Sequence, residues 1–467
     1  MALSDLIARE RKRFLTTHPN SAARAEALQQ HWLFGAPFHW MRDWAAPVTI
    51  VAEDGDGAVL TDIDDNTYDD FCLGDTPGMF GHGRPEVARA VAEQARRGAT
   101  FMLPTEQAAE VGVLLAERFG LPLWQTTLSA SDANRALIRW ARAVTGKSVI
   151  VVFDGCYHGM VEDCFVEIRH GRTRPDPGLI GQVFDMTRTT RAVPFNDVRA
   201  LEATLSLGDV AAVLAEPAMT NCGIILPEAN YWKRAQTLAK KAGALLILDE
   251  THTFSCGPGG ATQAWGLAPD ALVIGKAIAG GFPAAVWGVS AELGEKINAR
   301  SAGASPASVG AASTSVAGGG AGAPGRSGIG TTLAGNAMGI TAIGATLREL
   351  ATAEAFAAMH AGAEALAVKL RDVIAKRGLP WCVVQLGARV EMVFAPEAPK
   401  NAAEMRPVLA QPELNEALHL YLINRGVLIA PFHTMMLISP MTSGQQIDRL
   451  IAAVDSFADE YLQESAA

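Results

Sequence analysis

Three observations predict an α/β protein built on a parallel sheet. From about residue 85, short apolar runs alternate with helical stretches, the sequence form of a buried parallel sheet with crossover helices. Five such runs, at 148–153, 210–215, 244–249, 271–275 and 284–289, are short, apolar and bounded by turn residues. The chain is also long and apolar enough to bury such a sheet. It has 467 residues, 49% apolar and 19% charged, which excludes disorder for its bulk and allows two to four compact units at roughly 100–200 residues each.

The elements follow in order. Up to about residue 47 the chain reads as helix, break, helix: Ser4 and Asp5 can cap the first, and His18, Pro19 and Asn20 interrupt before AARAEALQQHWL. VTIVAEDGDGAVLTDIDDNTYDDF then carries short β-rich runs separated by Asp-Gly turns, a small antiparallel sheet, and residues 1–84 are taken as one amino-terminal segment. The large unit is placed at 85–340. Within it the polar, Pro/Gly-rich VEIRHGRTRPDPG reads as a surface excursion. Residues 301–330 are almost entirely Ser, Ala, Gly and Pro and read as either a lid over a site or a tolerated flexible insertion. GNAMGITAIGATLREL reads as a long helix, and strands at 390–394 and 427–430 among amphipathic helices make 341–467 a carboxy-terminal α+β unit.

Charge and composition narrow the function. Basic minus acidic residues gives 39 − 49 = −10 with no run of five basic residues, so neither nucleic acid nor an anionic membrane is an expected partner. The best basic candidate, Arg9 to Arg13, is one turn of a mixed-charge helix. No apolar stretch approaches the ~18–20 residues of a membrane span, and MALSDLIARERKR lacks the apolar core of a secretion signal, so a cytoplasmic protein is expected. The six scattered cysteines form no CxxC pair, which points to reduced thiols rather than a disulfide frame or a metal site.

Four constellations carry chemistry when taken together. ALLILDET puts Asp249 and Glu250 at the carboxyl end of a buried strand, where open sheets bind ligands, although Asp249 alone could be a turn cap. ALVIGKAIAGGFP delivers Lys276 to the same edge, ahead of Gly280 and Gly281. A desolvated lysine there can form a Schiff base, whereas a structural one would snorkel outward. In TLSASDANRALIRWARAVTG, Ser129 to Asp132 can cap a helix whose N–H groups and dipole would hold a phosphate. SVIVVFDGCYHG brings Tyr157 and His158, suited to covering a planar ring or simply to packing.

Rival motifs fail. A P-loop would need Gly where Asp270 stands and Ser or Thr where Ala277 stands; Thr262 breaks a GxGxxG begun by Gly257 and Gly259; neither HExxH nor GxSxG occurs. A phosphate-bearing aldehyde cofactor, pyridoxal phosphate, joins the four pieces.

With these motifs the sequence resembles the class III (subgroup II) aminotransferases among the fold type I pyridoxal-phosphate enzymes, with glutamate-1-semialdehyde aminomutases and related aminotransferases nearest. The resemblance runs from about Asp54 to about Val454. It implies a large domain with a mainly parallel seven-stranded sheet flanked by helices, and a small α+β domain from both termini. The family's NSGTEA phosphate cup falls on Ser129, Ala130, Ser131, Asp132 and Ala133; FEGCYHG on FDGCYHG, giving Tyr157 the ring-stacking role beside His158; its EP pair on Glu216 and Pro217; its DEV on Asp249, Glu250 and Thr251. GTLSGNP matches Gly330 to Ala337, with Thr331 or Thr332 as the threonine that in the family reaches a neighbouring subunit's cofactor, which implies a homodimer with shared sites. The spacing 276 − 249 = 27 also suits the family. Ala130 replaces a Gly of the cup, Thr251 replaces the residue usually packed under the ring, and TFSCGPGG at 253–260 departs from the relatives' GFR-type sequence, with consequences for substrate choice.

The resemblance gives Lys276 the covalent and proton-shuttling role and Asp249 the partner of the pyridine nitrogen, with phosphate anchored by Ser131, neighbouring N–H groups and Thr332. Arg389 in LGARVEMVF and Arg42 in FHWMRDW are the arginines nominated for a substrate carboxylate, against the plainer reading of surface or structural residues. Trp40 and Trp44 could line an aromatic-tolerant pocket or belong to a core. Small-molecule amine, amino-acid and keto substrates are expected. An aminotransferase is the first reading, an aminomutase of the glutamate-1-semialdehyde type the second, and a non-catalytic binding protein that kept the fold the third.

Overall fold

The structure, a computed structural model, describes residues 3–302 and 328–465. Most of the 301–330 segment, and with it the lid or insertion reading, lies outside the described residues. The chain opens with helices α1 (Leu3–Thr17) and α2 (Pro19–His31), broken where His18 precedes Pro19 at the first turn of α2. Strands β1 (Ala52–Asp56), β2 (Val59–Asp62) and β3 (Thr67–Asp70) form the antiparallel meander. A fourth strand from the far end of the chain, at Val427–Leu428, joins β3 in parallel.

The large unit runs through α3 (Pro85–Arg97), α4 (Gln107–Phe119), β4 (Leu123–Thr127), α5 (Ala130–Thr145), β5 (Val149–Phe153), a ribbon of β6 (Val166–Arg169) and β7 (Arg172–Pro175), β8 (Thr190–Val193), α6 (Val198–Leu205), β9 (Val210–Ala215), α7 (Tyr231–Ala242), β10 (Leu245–Asp249), α8 (Gly260–Ala264), β11 (Ala271–Ile274), β12 (Ala285–Val289) and α9 (Ala291–Ala302). The sheet order is β4-β12-β11-β10-β9-β5-β8. Every residue of β5, β9, β10, β11 and β12 is buried, which is why those five runs read as unbroken apolar stretches.

One expectation needs correction, and another gains detail. The 284–289 run is not a parallel strand: β12 pairs antiparallel with both β11 and β4. Only ten residues separate β11 from β12, too few for a crossover helix, so the chain must turn straight back. The polar interval after β5 is an excursion, yet it is ordered as the β6–β7 ribbon. It leads into β8, a sheet edge that the sequence hid because TRAV carries an arginine in mid-strand.

Downstream come α10 (Ala337–Ala345), a π-helical turn at Thr346–Leu350, α11 (Ala353–Arg377), β13 (Cys382–Leu386), β14 (Arg389–Val393), α12 (Ala402–Leu409), α13 (Pro412–Ile423), β15 (Val427–Leu428), β16 (Met435–Leu437) and α14 (Gly444–Ser465). The long helix read at GNAMGITAIGATLREL is therefore α10 and its π turn. The boundary set at residue 340 falls inside α10, which packs on α3 and α4. The handover comes later, along α11. Its Phe356 and Met359 belong to the core beneath the large sheet, while Ala363, Leu366 and Leu370 belong to a second core shared with α13 and α14. That second core also takes Leu6, Ile7 and Phe71, so residues from both ends of the chain build it.

Candidate active site

The parallel strands end at a common edge, and the chain places its chemistry there. Asp249 is the last residue of β10, Lys276 lies two residues past β11, Glu216 directly follows β9, and Tyr157 and His158 follow β5. The amino end of α5 points at the same place, capped by Ser129, whose side chain accepts from Asp132 N at 3.3 Å. These groups surround one cavity of about 480 Å³, lined among others by Ser129, Ala130, Ser131, Thr251 and Trp40.

Two glycines let the backbones close in. A Cβ on Gly275 would stand 2.9 Å from the Ala130 Cβ, so the turn carrying Lys276 lies against the start of α5. Gly159, at φ +86°, leaves room for Ser131, whose Oγ would lie 1.9 Å from an added Cβ. Ser131 Oγ instead accepts from Met160 N at 3.0 Å, tying the Tyr157–His158 loop to the helix terminus.

Asp249 is fully enclosed. Its Oδ2 accepts from Asn134 Nδ2 at 2.8 Å and from His158 Nδ1 at 3.0 Å, and its Oδ1 from Thr251 N at 3.1 Å. Burial works to raise the Asp249 carboxyl, but the hydrogen bonds from His158, Thr251 and Asn134 outweigh it and hold the group below the usual carboxylate value. For His158 burial works downward, while Asp249 and Cys156 push it up to about 10. The pair is therefore ionic at neutral pH.

Lys276 begins a 3₁₀ turn with φ +48°. Its Nζ lies 2.5 Å from Asp75 Oδ2 and 2.6 Å from His252 Nε2. Glu216 is buried and raised by that burial, although His158 and hydrogen bonds from Thr220 and Asn221 work against the shift. Tyr157 is half-buried, with its ring centroid 5.7 Å from that of Trp40, which in turn lies 5.4 Å from Phe432. Thr251 Oγ1 accepts from Gly275 N at 3.2 Å, so the hydroxyl that replaces an apolar residue links the two central strand ends.

Five nominated residues do not come to this cavity, among them Trp44, which packs against the small core of Phe14 and Tyr68. Arg42 is exposed and donates to Phe34 O at 2.8 Å. Arg389, at the start of β14, is only 1% exposed; its donors go to Thr76 Oγ1 at 2.7 Å and to Ser255 Oγ and His252 O, both at 3.2 Å, which makes it a clamp between elements. Thr331 and Thr332 are exposed and border a separate recess with Thr100, Leu103 and Gly335. Conversely, Asp75, Asn134, Thr220, Asn221 and His252 belong to the site and were not nominated. Asn134 could have been found as a polar residue on the buried face of α5. His252 could have been found as a histidine directly behind the acidic strand end. Asp75 sits in LGDTPG, which reads only as a turn.

The arrangement suits a planar, phosphorylated aldehyde. The lining brings together an anionic acid, Asp249, the donors of the α5 terminus with Ser129 and Ser131, the aromatic ring of Tyr157 and the amine of Lys276. Asn134 Oδ1 and His158 Nε2 have no hydrogen-bond partner although both are buried, as expected of a shell arranged around a bound group.

The sequence pattern of the Aminotransferase class-III family matches residues 40–456. Glutamate-1-semialdehyde 2,1-aminomutase 1 of Cenarchaeum symbiosum (strain A) is 31% identical over 394 residues, covering 83% of this chain and 86% of that protein. A crystal structure of a glutamate-1-semialdehyde-aminomutase from Pseudomonas aeruginosa PAO1, a lysine-to-alanine variant in complex with PMP, superposes with TM-score 0.92 at 42% identity over 98% of both chains. A β-phenylalanine aminotransferase from Variovorax paradoxus gives TM-score 0.82 at 25% identity, again over 98% of both chains.

Proposed function

The chain belongs to the class III aminotransferase family, and on that footing we propose that it moves an amino group between an amine or amino-acid donor and a keto-acid, aldehyde or ketone acceptor, using pyridoxal phosphate. The observation that carries this is the delivery of Lys276 and Asp249 by adjacent strands of one sheet edge into one cavity. When bound, the cofactor draws electrons from the bond broken at the substrate carbon. The residues supply the rest. Asp249, kept anionic by His158 and Asn134, would pair with the ring nitrogen. Ser129, Ser131 and the free N–H groups of α5 would hold the phosphate, and Tyr157 and Thr251 would border the ring. Lys276 would anchor the aldehyde and hold or release a proton at its Nζ. Trp40 and Phe432 add aromatic surface to the cavity lining, which suits an apolar group on the amine partner.

The likeness to aminomutases supports a second reading, an intramolecular shift in which the same residues act but the intermediate is retained. Incubation of the holoenzyme with amine donor alone separates the two. Released keto product supports transfer, and none, with isomerised substrate instead, supports the mutase. Purified protein that takes up no pyridoxal phosphate, or whose visible absorbance survives borohydride, would refute both.

A further inference from the structure

We propose that His252 is a further catalytic residue, the first member of a buried line, Lys276–His252–Thr220–Glu216, along which the proton of the lysine is withdrawn and returned. The proposal rests on Lys276 being the reactive lysine.

Geometry carries it. Among the described residues the Lys276 amine has two hydrogen-bond neighbours: Asp75 Oδ2 on the partly exposed side, at 2.5 Å, and His252 Nε2 on the buried side, at 2.6 Å. His252 Nδ1 lies 2.6 Å from Thr220 Oγ1, the Thr220 hydroxyl donates to Glu216 Oε2, and Asn221 Nδ2 donates to Glu216 Oε1 at 2.9 Å. With Lys276 as the ammonium of its ion pair with Asp75, hydrogen-bond capacities set the direction. An ammonium only donates, so His252 Nε2 accepts; the neutral ring then carries its hydrogen on Nδ1 and donates to Thr220; the hydroxyl has its own hydrogen left for the carboxylate. His252, Thr220 and Glu216 are all buried, so no water is needed between links.

One transfer balances as three bonds broken and three made. Nζ–H passes to Nε2, Nδ1–H to Oγ1, and Oγ1–H to Oε2. The lysine is left neutral, Glu216 protonated, and the imidazole in its other tautomer; the reverse movement restores the start. The surroundings suit this. Burial and the positive groups facing the ring, Lys276, Arg389, His433 and His158, keep His252 neutral, and burial keeps Glu216 able to hold a proton. His419 is the internal contrast. It is also buried, but its nitrogens face only backbone carbonyls, those of Asn415 and Ala430 at 2.8 Å and of His433 at 3.2 Å, which exchange no proton.

Two measurements test the line. In apoprotein labelled with ¹⁵N-histidine, the His252 resonances should show a protonated, exchange-protected Nδ1 and an accepting Nε2. Thr220→Val should abolish the protection and Thr220→Ser, the folded control, should keep it. In the holoenzyme the amine-donor half-reaction should give a curved rate profile against deuterium fraction in wild type and Thr220→Ser, and a linear one at least about tenfold slower in Thr220→Val. A bare Nδ1 in the wild type, or a Thr220→Val enzyme with unchanged rate and curvature, would overturn the proposal. A wild type that converts no amine defeats the proposed function instead, and the resonances then decide the line.

Discussion

At Lys276 and Asp249 the same local device recurs: a buried strand hands a charged residue to the cavity, and neighbours hold it in place. The roles differ, which makes them separable. Lys276→Ala should lower turnover by at least about 10²–10⁴-fold, with an unchanged circular dichroism spectrum and no borohydride-fixed adduct on the chain; retained activity would sink the assignment. The Asp249–His158 pair leaves a pH signature in stability. His158 is raised, so its contribution is whole below about pH 6.5 and is lost as pH climbs through about 10. Asp249 is lowered, so its contribution is present at neutral pH and is lost only as pH falls through its depressed value. The melting-temperature difference between wild-type apoprotein and His158→Gln should therefore be largest near about pH 6 and shrink steadily toward about pH 10. A difference that stays constant over that range would show that the pair is not ionic.

Among elements, the contact between the β11 turn and the start of α5 sets where the lysine stands. Gly275→Ala brings a methyl to within 2.9 Å of Ala130 without backbone strain, since the residue is extended. It should cost about 1–3 kcal/mol as overpacking and weaken cofactor binding, read by thermal unfolding and by titration with pyridoxal phosphate. An unaltered affinity would show the contact to be slack. What the sequence disclosed follows from burial. The five core strands and the residues at their ends were legible because a strand covered on both faces must be apolar throughout. β4 and β8 were not, because edge strands tolerate residues such as Gln125 and Arg191. The direction of β12 lay in a loop length rather than in its composition. Asp75, Thr220 and His252 come from turns and loops, where no periodicity marks a polar residue as facing inward. Arg389 was misleading for a related reason: its position in β14 gives no hint that its side chain is held by Thr76, Ser255, the His252 carbonyl and Met435.

On the scale of the whole molecule, Thr331 and Thr332 stand apart from the cavity of their own chain, which fits the proposal of a homodimer whose sites are shared. Hybrids answer this directly. Thr332→Ala alone should weaken cofactor binding. Mixed with Lys276→Ala chains, it should regain tight binding at one of the two sites of each hybrid dimer if the threonine acts across the interface; no recovery would place its action within one chain. The second core has a different consequence. Leu6 and Ile7 of α1 share this core with Leu414, Leu418 and Tyr421 of α13, the helix that α1 packs on, so a face of α1 is made long before the helix that covers it. Until α13 leaves the ribosome, the apolar face of α1 lacks its main partner. A nascent chain stalled before residue 412 should bind a chaperone that the released protein ignores.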